Sequence, residues 1–280
     1  ASIVTAEALK TKILTAGDLT TTSLTDMVRG YGVSTVTALR GTIDPLRGAW
    51  PFDVVQAGYK VKFIRRTGSA SVATIPSQDL AATSGDSDKA VARITQSREM
   101  DAQIPYRVVI NHSDINREYD VNTQYAERLV TASASIRVLD LPIVLTPDEA
   151  AQKCEILLYM YWLERNEFSI VLPPTYLHLE VGDIITVVES PASFVMRLTS
   201  IQYRADGIME CKAKMYSSST YTSAAVGDNS GAAPPNRSTI AIAGPVTTVL
   251  ADIPVIFDTN VDSGFAVAMA GTMSYWAGGN

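Results

Sequence analysis

Only two cysteines and two histidines occur in the 280 residues, so the side chains that most often ligate metals or form nucleophile–base pairs are scarce. Cys154 and Cys211 stand far apart, with no CxxC and no neighbouring His, so no paired metal-ligand or redox spacing exists. A disulfide between them is open on geometry; two buried thiols is the favoured reading. There is no Walker loop, no HExxH and no GxSxG. Long apolar runs are missing too: the longest is Ile156 to Leu163, where a spanning helix needs about 20 residues. No basic segment followed by an apolar stretch opens the chain, so no signal peptide is expected. The first residue is Ala1, which suggests processing, trimming or a segment of something longer. Excess positive charge is also absent. Lys and Arg total 23 against 29 Asp and Glu, a net charge of −6, which argues against tight binding to a nucleic-acid backbone but leaves a weak or sliding contact open.

What is present is the composition of a globular protein: 46% hydrophobic and 19% charged residues, with enough length for about two domains. The spacing predicts a helix over Ala6 to Ala16, a second short helix over Ser23 to Val28, and a helical stretch from Thr42 to Ala57 that Pro51 interrupts. A strand follows from Tyr59 to Arg66, with Ser71 to Ile75 as its partner. Residues 80–100 read as a loop leading into a strand at Ile94 to Arg98. Strands are expected at Tyr106 to Asn111 and Ile136 to Leu145; Gln124 to Ser135 reads as helix or strand, with strand favoured.

The clearest helix starts at Thr146. Thr146 is a good N-cap, Pro147 suits the first helical position, and Glu149 completes a capping box. It is expected to run over 147–166. Its second half is apolar all round and must be covered on more than one side, by its own sheet or by a neighbouring subunit. Strand signals then crowd together at Phe168 to Leu172, Thr175 to Leu179, Asp183 to Val188, Phe194 to Tyr203 and Gly207 to Tyr216, with Asp206-Gly207 a strong hairpin turn. Strands so tightly joined imply a meander or a small barrel. Residues 218–236 read as a linker, and the apolar runs of 237–280 either return to an earlier sheet or open a further domain. The expected architecture is α+β and mainly antiparallel β: an α+β domain over 1–104 and a small barrel-like domain over 105–217.

Candidate sites are weak. His112, beside Asn111 and Asp114, reads as a hydrogen-bonded surface residue, and His178 as pointing outward from a strand. Asp114, Glu118 and Asp120 could supply paired acids but read as a solvated turn around Arg117. Gly30-Tyr-Gly32 lacks the third glycine of a dinucleotide fingerprint, with Thr35 in its place. Asp258, Asn260 and Asp262 alternate as in a calcium loop, without its Glu. Lys60, Lys62, Arg65 and Arg66 could touch an acidic partner or phosphate, or protect a strand edge. No catalytic, cofactor or metal residue is assigned. The interface candidates are Leu158 and Trp162 on the helix and Lys60, Lys62 and Arg65 on the strand, and Trp162→Asp is expected to prevent folding or assembly.

Four blocks, in order, carry a resemblance: TALRGTIDPLRGAWPFDVVQAGYKVKFIRR, IPYRVVINHSDINREYDVNTQYAERL, TPDEAAQKCEILLYMYWLERNEFSIVLPPTYLHLEVGDIITV and VLADIPVIFDTNVDSGFAVAMAG. Together they resemble the tail hub (baseplate hub or tail-tip) proteins of long-tailed bacteriophages and gene transfer agents. The resemblance covers most of the chain. It implies a non-enzymatic virion protein, assembled in the bacterial host cytoplasm without a cofactor. The implied form is a homotrimer whose barrel domains form a ring on the distal tail protein. It would also meet other tail-tip or fibre proteins and surround the channel through which DNA passes. No peptidase-like segment accompanies it. Two other readings stay open. One is a carbohydrate-binding host-recognition module, with Tyr176, Tyr203, Tyr216 and Tyr221 on a rim; the other is a hydrolase using the acids between Asp114 and Asp120.

Overall fold

The computed structural model describes residues 1–33, 38–82, 92–228, 247–253 and 264–270. In chain order the elements are α1 (Ser2–Lys10), β1 (Leu19–Thr20), β2 (Gly30–Tyr31), α2 (Leu39–Ala49), β3 (Phe52–Ala57), β4 (Lys60–Arg65), β5 (Ala73–Pro76), β6 (Ile94–Arg98), β7 (Arg107–Asp114), β8 (Val121–Glu127) and β9 (Ile136–Leu145). Then come α3 (Pro147–Leu163), β10 (Asn166–Leu172), β11 (Ile184–Glu189), β12 (Ala192–Tyr203), β13 (Met209–Met215), β14 (Thr247–Ile253) and β15 (Gly264–Ala270). They form two compact units, Ala1–Ala232 and Ala233–Asn280. The described part of the second unit is the antiparallel pair β14–β15, in register from Thr247 opposite Ala270 to Ile253 opposite Gly264.

The first unit holds three sheets, ordered β1-β4-β3, β2-β9-β7-β8 and β5-β11-β12-β13-β10-β6. Strands from residues 1–104 enter all three. Most pairings are antiparallel; β1–β4, β5–β11 and β7–β9 are parallel. One core lies where α2, α3 and the two smaller sheets meet, around Ile43, Phe63, Ile110, Ile143, Leu157 and Trp162. A second covers one face of the six-stranded sheet, around Ile75, Ile170, Leu172, Ile185, Met196 and Leu198.

The small barrel expected in 105–217 does not form. A barrel needs its first and last strands to pair, whereas the six-stranded sheet is open and ends in β5 and β6. Those edges are unsuited to meeting each other. β5 ends in Pro76, which has no N–H to donate, and β6 presents exposed Thr95, Gln96, Ser97 and Arg98. The fold is mixed α+β with mostly antiparallel open sheets.

Local chemistry accounts for most departures from the expected elements. Helix α1 ends at Lys10 because Lys12 adopts left-handed φ of 58° and the Thr11 hydroxyl donates to the Ala8 carbonyl at 2.7 Å. No helix forms over 23–28: the Ser23 hydroxyl donates to the Phe63 carbonyl at 2.5 Å and accepts from the Arg65 N–H at 3.3 Å, so it serves β4 instead of a cap. Pro51 separates α2 from β3, so Val54 is in a strand. Residues 128–135 leave β8 and return beside β7, where the Tyr106 N–H donates to the Ser135 carbonyl at 2.9 Å. Residues 175–179 form a turn after Pro173-Pro174, pinned by the Tyr176 hydroxyl donating to Asp79 at 2.7 Å.

Helix α3 starts as expected. The Thr146 hydroxyl accepts from the Glu149 N–H at 3.2 Å, and the Glu149 carboxylate accepts from the Thr146 N–H at 3.0 Å. Arg29 donates to that carboxylate through Nε and Nη2, raising the Arg29 pKa. The helix stops at Leu163 because Asn166 already pairs with Arg98 of β6. Its apolar sides pack on β7 and β8 of its own chain and on the turn at Ser218–Tyr221.

Candidate functional site

Among the described residues, no group of three or more His, Cys, Asp and Glu is placed to hold a metal, and no helix is long and apolar enough to cross a membrane. Both cysteines are free and buried; burial pushes the Cys154 thiol up to about 12 and Cys211 up to about 11, which keeps both protonated and unreactive. The acids near β7 are a turn. Asp114 is buried, accepts from the Asn116 N–H at 2.8 Å and from Asn122 Nδ2 at 2.7 Å, and Glu118 and Tyr119 take left-handed φ. Gly30 lies in β2 against β9, where a Cβ would sit 2.8 Å from Val144 Cγ2. Thr35 and the alternation at Asp258, Asn260 and Asp262 lie outside the described residues. Tyr216 and Tyr221 stack within the core at 5.7 Å, so they form no exposed rim with Tyr176 and Tyr203.

His112 is not at the surface. It is 2% exposed on the inner face of β7, and neither ring nitrogen makes a well-formed hydrogen bond among the described residues. Burial pulls its pKa down, against Asp114, the Ile110 backbone and Glu149, which favour the proton. The unfolded chain, with an ordinary value near ~6.5, therefore takes up the proton first. Stability is complete above that pH and lost as pH falls through it towards the lower folded value. Urea midpoints between pH 7.5 and 5 should fall for the native chain and stay flatter for His112→Leu; equal slopes would show that His112 does not titrate on unfolding. His178 lies in the turn before β11, not on a strand.

The interface candidates divide. Leu158 and Trp162 are buried by the chain itself. Trp162 is 7% exposed, its Nε1 donates to the Pro105 carbonyl at 3.0 Å, and Arg128 lies over its ring at 4.5 Å. Their apolar surface is already covered by the chain itself. β4 is the centre of its sheet, so its cations protect no edge. Lys62 pairs with Glu180 at 2.6 Å and Arg65 with Asp26 at 2.8 Å, leaving Lys60 as an exposed cation.

Two features escaped sequence reasoning. The first is a closed ring of charge. Asp53 of β3 accepts from Arg66 at 2.7 Å and from Arg197 of β12 at 2.6 Å. Glu164, at the end of α3, accepts from the same two guanidiniums at 3.1 and 2.9 Å. Burial pushes Asp53 up, but the bonds and charges of Arg66, Arg197 and Arg47 outweigh it and hold the carboxyl below its usual range. This ring joins the three-stranded sheet, α3 and the six-stranded sheet. The one sequence signal was Arg197 inside the apolar run Phe194-Val-Met-Arg-Leu198.

The second is the outer face of the β2-β9-β7-β8 sheet. Val109 stands opposite both Tyr125 and Val138, and Arg107 opposite Glu127 and Ile136. Tyr125, Val138 and Ile136 are exposed, as are Leu129 and Val130 in the following loop. Arg107 pairs with Glu127 at 2.5 Å and lies over the Tyr125 ring at 4.6 Å. This is an apolar, aromatic strip edged by paired charge, the character of a protein contact surface.

Open antiparallel sheets, closed charge pairs and an uncovered apolar face are thus what the described residues present. The family described as "Putative phage tail protein" matches residues 39–201, and the chain belongs to it. It is thus a structural protein of a phage-type virion tail. Its fold is similar to that of a chain in the virion of a native gene transfer agent particle, with a TM-score of 0.72, 22% identity, and 81% of this chain and 50% of that one covered. The 43 kDa tail protein of prophage MuSo2 from Shewanella oneidensis is similar at a TM-score of 0.50 and 9% identity, covering 80% of this chain and 65% of that one. This chain therefore spans about half the length of the gene transfer agent chain it matches. No curated protein matches it.

Proposed function

We propose that the chain is a hub at the end of the tail. Three copies form a ring, dock on the distal tail protein, carry other tail-tip or fibre proteins and surround the channel through which DNA is ejected. Assembly takes place in the bacterial host cytoplasm before the virion is complete. The observation that carries this reading is the uncovered apolar face at Tyr125, Ile136 and Val138, a surface that suits burial against a copy or a neighbour. Membership of a phage tail family supports it, as does the fold shared with a gene transfer agent virion chain. Lys60, exposed at the start of β4, suits a contact with an acidic partner. The net charge of −6 suits a wall past which DNA slides without sticking. Native mass measurement tests the reading: a threefold mass is expected, reduced to one copy by Tyr125→Glu with Val138→Glu. A native chain that stays monomeric up to high concentration overturns it.

A further inference from the structure

After Tyr221, which is buried against Tyr216, residues 222–228 run without helix or strand along the seam between edge strand β8 and the first half of α3. Almost no apolar burial holds it; Val226 is 81% exposed. Polar side chains of the seam grip its backbone instead. Gln124 of β8, itself 4% exposed, accepts from the Asp228 N–H at 3.0 Å and donates to the Asp228 carbonyl at 2.9 Å, as a neighbouring strand would. Asp148 accepts from the Gly227 N–H at 2.7 Å, and Glu155 accepts from the Ser223 hydroxyl. Gly227 lies so close to α3 that a Cβ would fall 2.2 Å from the Pro147 carbonyl carbon, so only glycine fits there.

The seam therefore reads a peptide by backbone groups and by one position without a side chain. Such a site accepts any chain bearing the same segment. We propose that residues 223–228 form an exchangeable clasp, seated in their own seam in an isolated chain and in the seam of a second copy within an assembly. The contacts made in the two arrangements are identical, so local concentration decides between them, as in domain swapping. The segment suits release because few bonds hold it and alternate residues Thr222, Ala224, Val226 and Asp228 are exposed, the pattern of a locally opening element. Buried Tyr221 supplies the fixed end about which it swings. The exchange rests on the reading that copies of this chain assemble.

The test uses the full chain and a labelled peptide of residues 217–228. A Gly227→Val chain, whose own clasp no longer fits, is expected to bind the native peptide at least tenfold more tightly than a peptide carrying valine at position 227. Gln124→Met in the receiving chain should abolish that difference without touching Gly227. Native mass measurement of the Gly227→Val chain should show at least a tenfold weaker assembly than the native chain. Equal binding of the two peptides, or no binding, overturns the seam as a peptide site. Unchanged assembly of Gly227→Val overturns exchange between copies. A native chain that never assembles removes exchange together with the hub reading, while the peptide arm still reports on the seam.

Discussion

Arg197→Met is expected to destabilise the first unit by about 3–5 kcal/mol, read as a lower urea midpoint and a melting temperature lower by roughly 10 °C. The guanidinium is 6% exposed and bridges Asp53 and Glu164, which are themselves largely covered. Methionine has similar bulk, so packing survives and the loss falls on two largely covered carboxylates left with Arg66 and the longer pairs to Arg47 at 3.6 Å and Lys214 at 3.9 Å. Their desolvation then exceeds their remaining attraction. Replacing the whole ring by apolar residues of similar volume should cost much less, because no unpaired charge remains. The ring also gives an acid limit. Asp53 has a depressed folded pKa, so its contribution is fully present above the unfolded value near ~3.9 and disappears as pH falls through the folded value. That loss begins below ~3.9, whereas the loss set by His112 begins below ~6.5, so the His112 effect is met first as pH falls. A loss under about 1 kcal/mol for Arg197→Met would mean that packing, not charge, joins the two cores.

Trp162→Asp is expected to prevent folding, with no soluble chain or no cooperative unfolding transition. The ring fills the core between α3 and the sheet beneath it, and its loss alone costs about 3–5 kcal/mol before a carboxylate is added there. Trp162→Phe keeps most of the ring but leaves the Pro105 carbonyl without its donor, at about 1–3 kcal/mol. Circular dichroism and denaturation report both. A Trp162→Asp chain that folds normally and fails only to assemble would place this residue at a subunit contact and overturn the burial described.

These two residues show how far the sequence could be read. α3 was legible because its signals are local: Thr146 and Glu149 bond to each other within one turn, and Pro147 between them presets the helical φ, whatever surrounds them. The β12–β13 hairpin was legible for the same reason, since Asp206-Gly207 makes its own turn and Gly207 takes φ of 81°. The pairing of β5 was not. Ser71 to Ile75 reads naturally as the neighbour of β4, yet Ala73 to Pro76 pair in parallel with Ile185 to Val188, far along the chain. Nothing in a short strand states which distant edge will accept it. His112 was misplaced for a related reason: a polar residue at a strand end looks solvated until α3 closes over it. The apolar half of α3 signalled that it must be covered, but the alternation of residues cannot say whether its own sheet or another subunit does so.

The sequence by itself determined the start of α3, the Asp206-Gly207 turn and several of the alternating strands, and through its ordered motifs the tail-protein kinship. The local elements depend on residues within a few positions of each other, and the kinship on the order of such short motifs along the chain. Tertiary structure alone decided that the six-stranded sheet stays open, that Asp53, Arg66, Glu164 and Arg197 meet in one ring, and that the outer face of β7, β8 and β9 is left uncovered. Each of those outcomes joins segments far apart along the chain. Burial and charge pairing select such meetings by the free energy of the whole arrangement, which no single stretch of residues encodes.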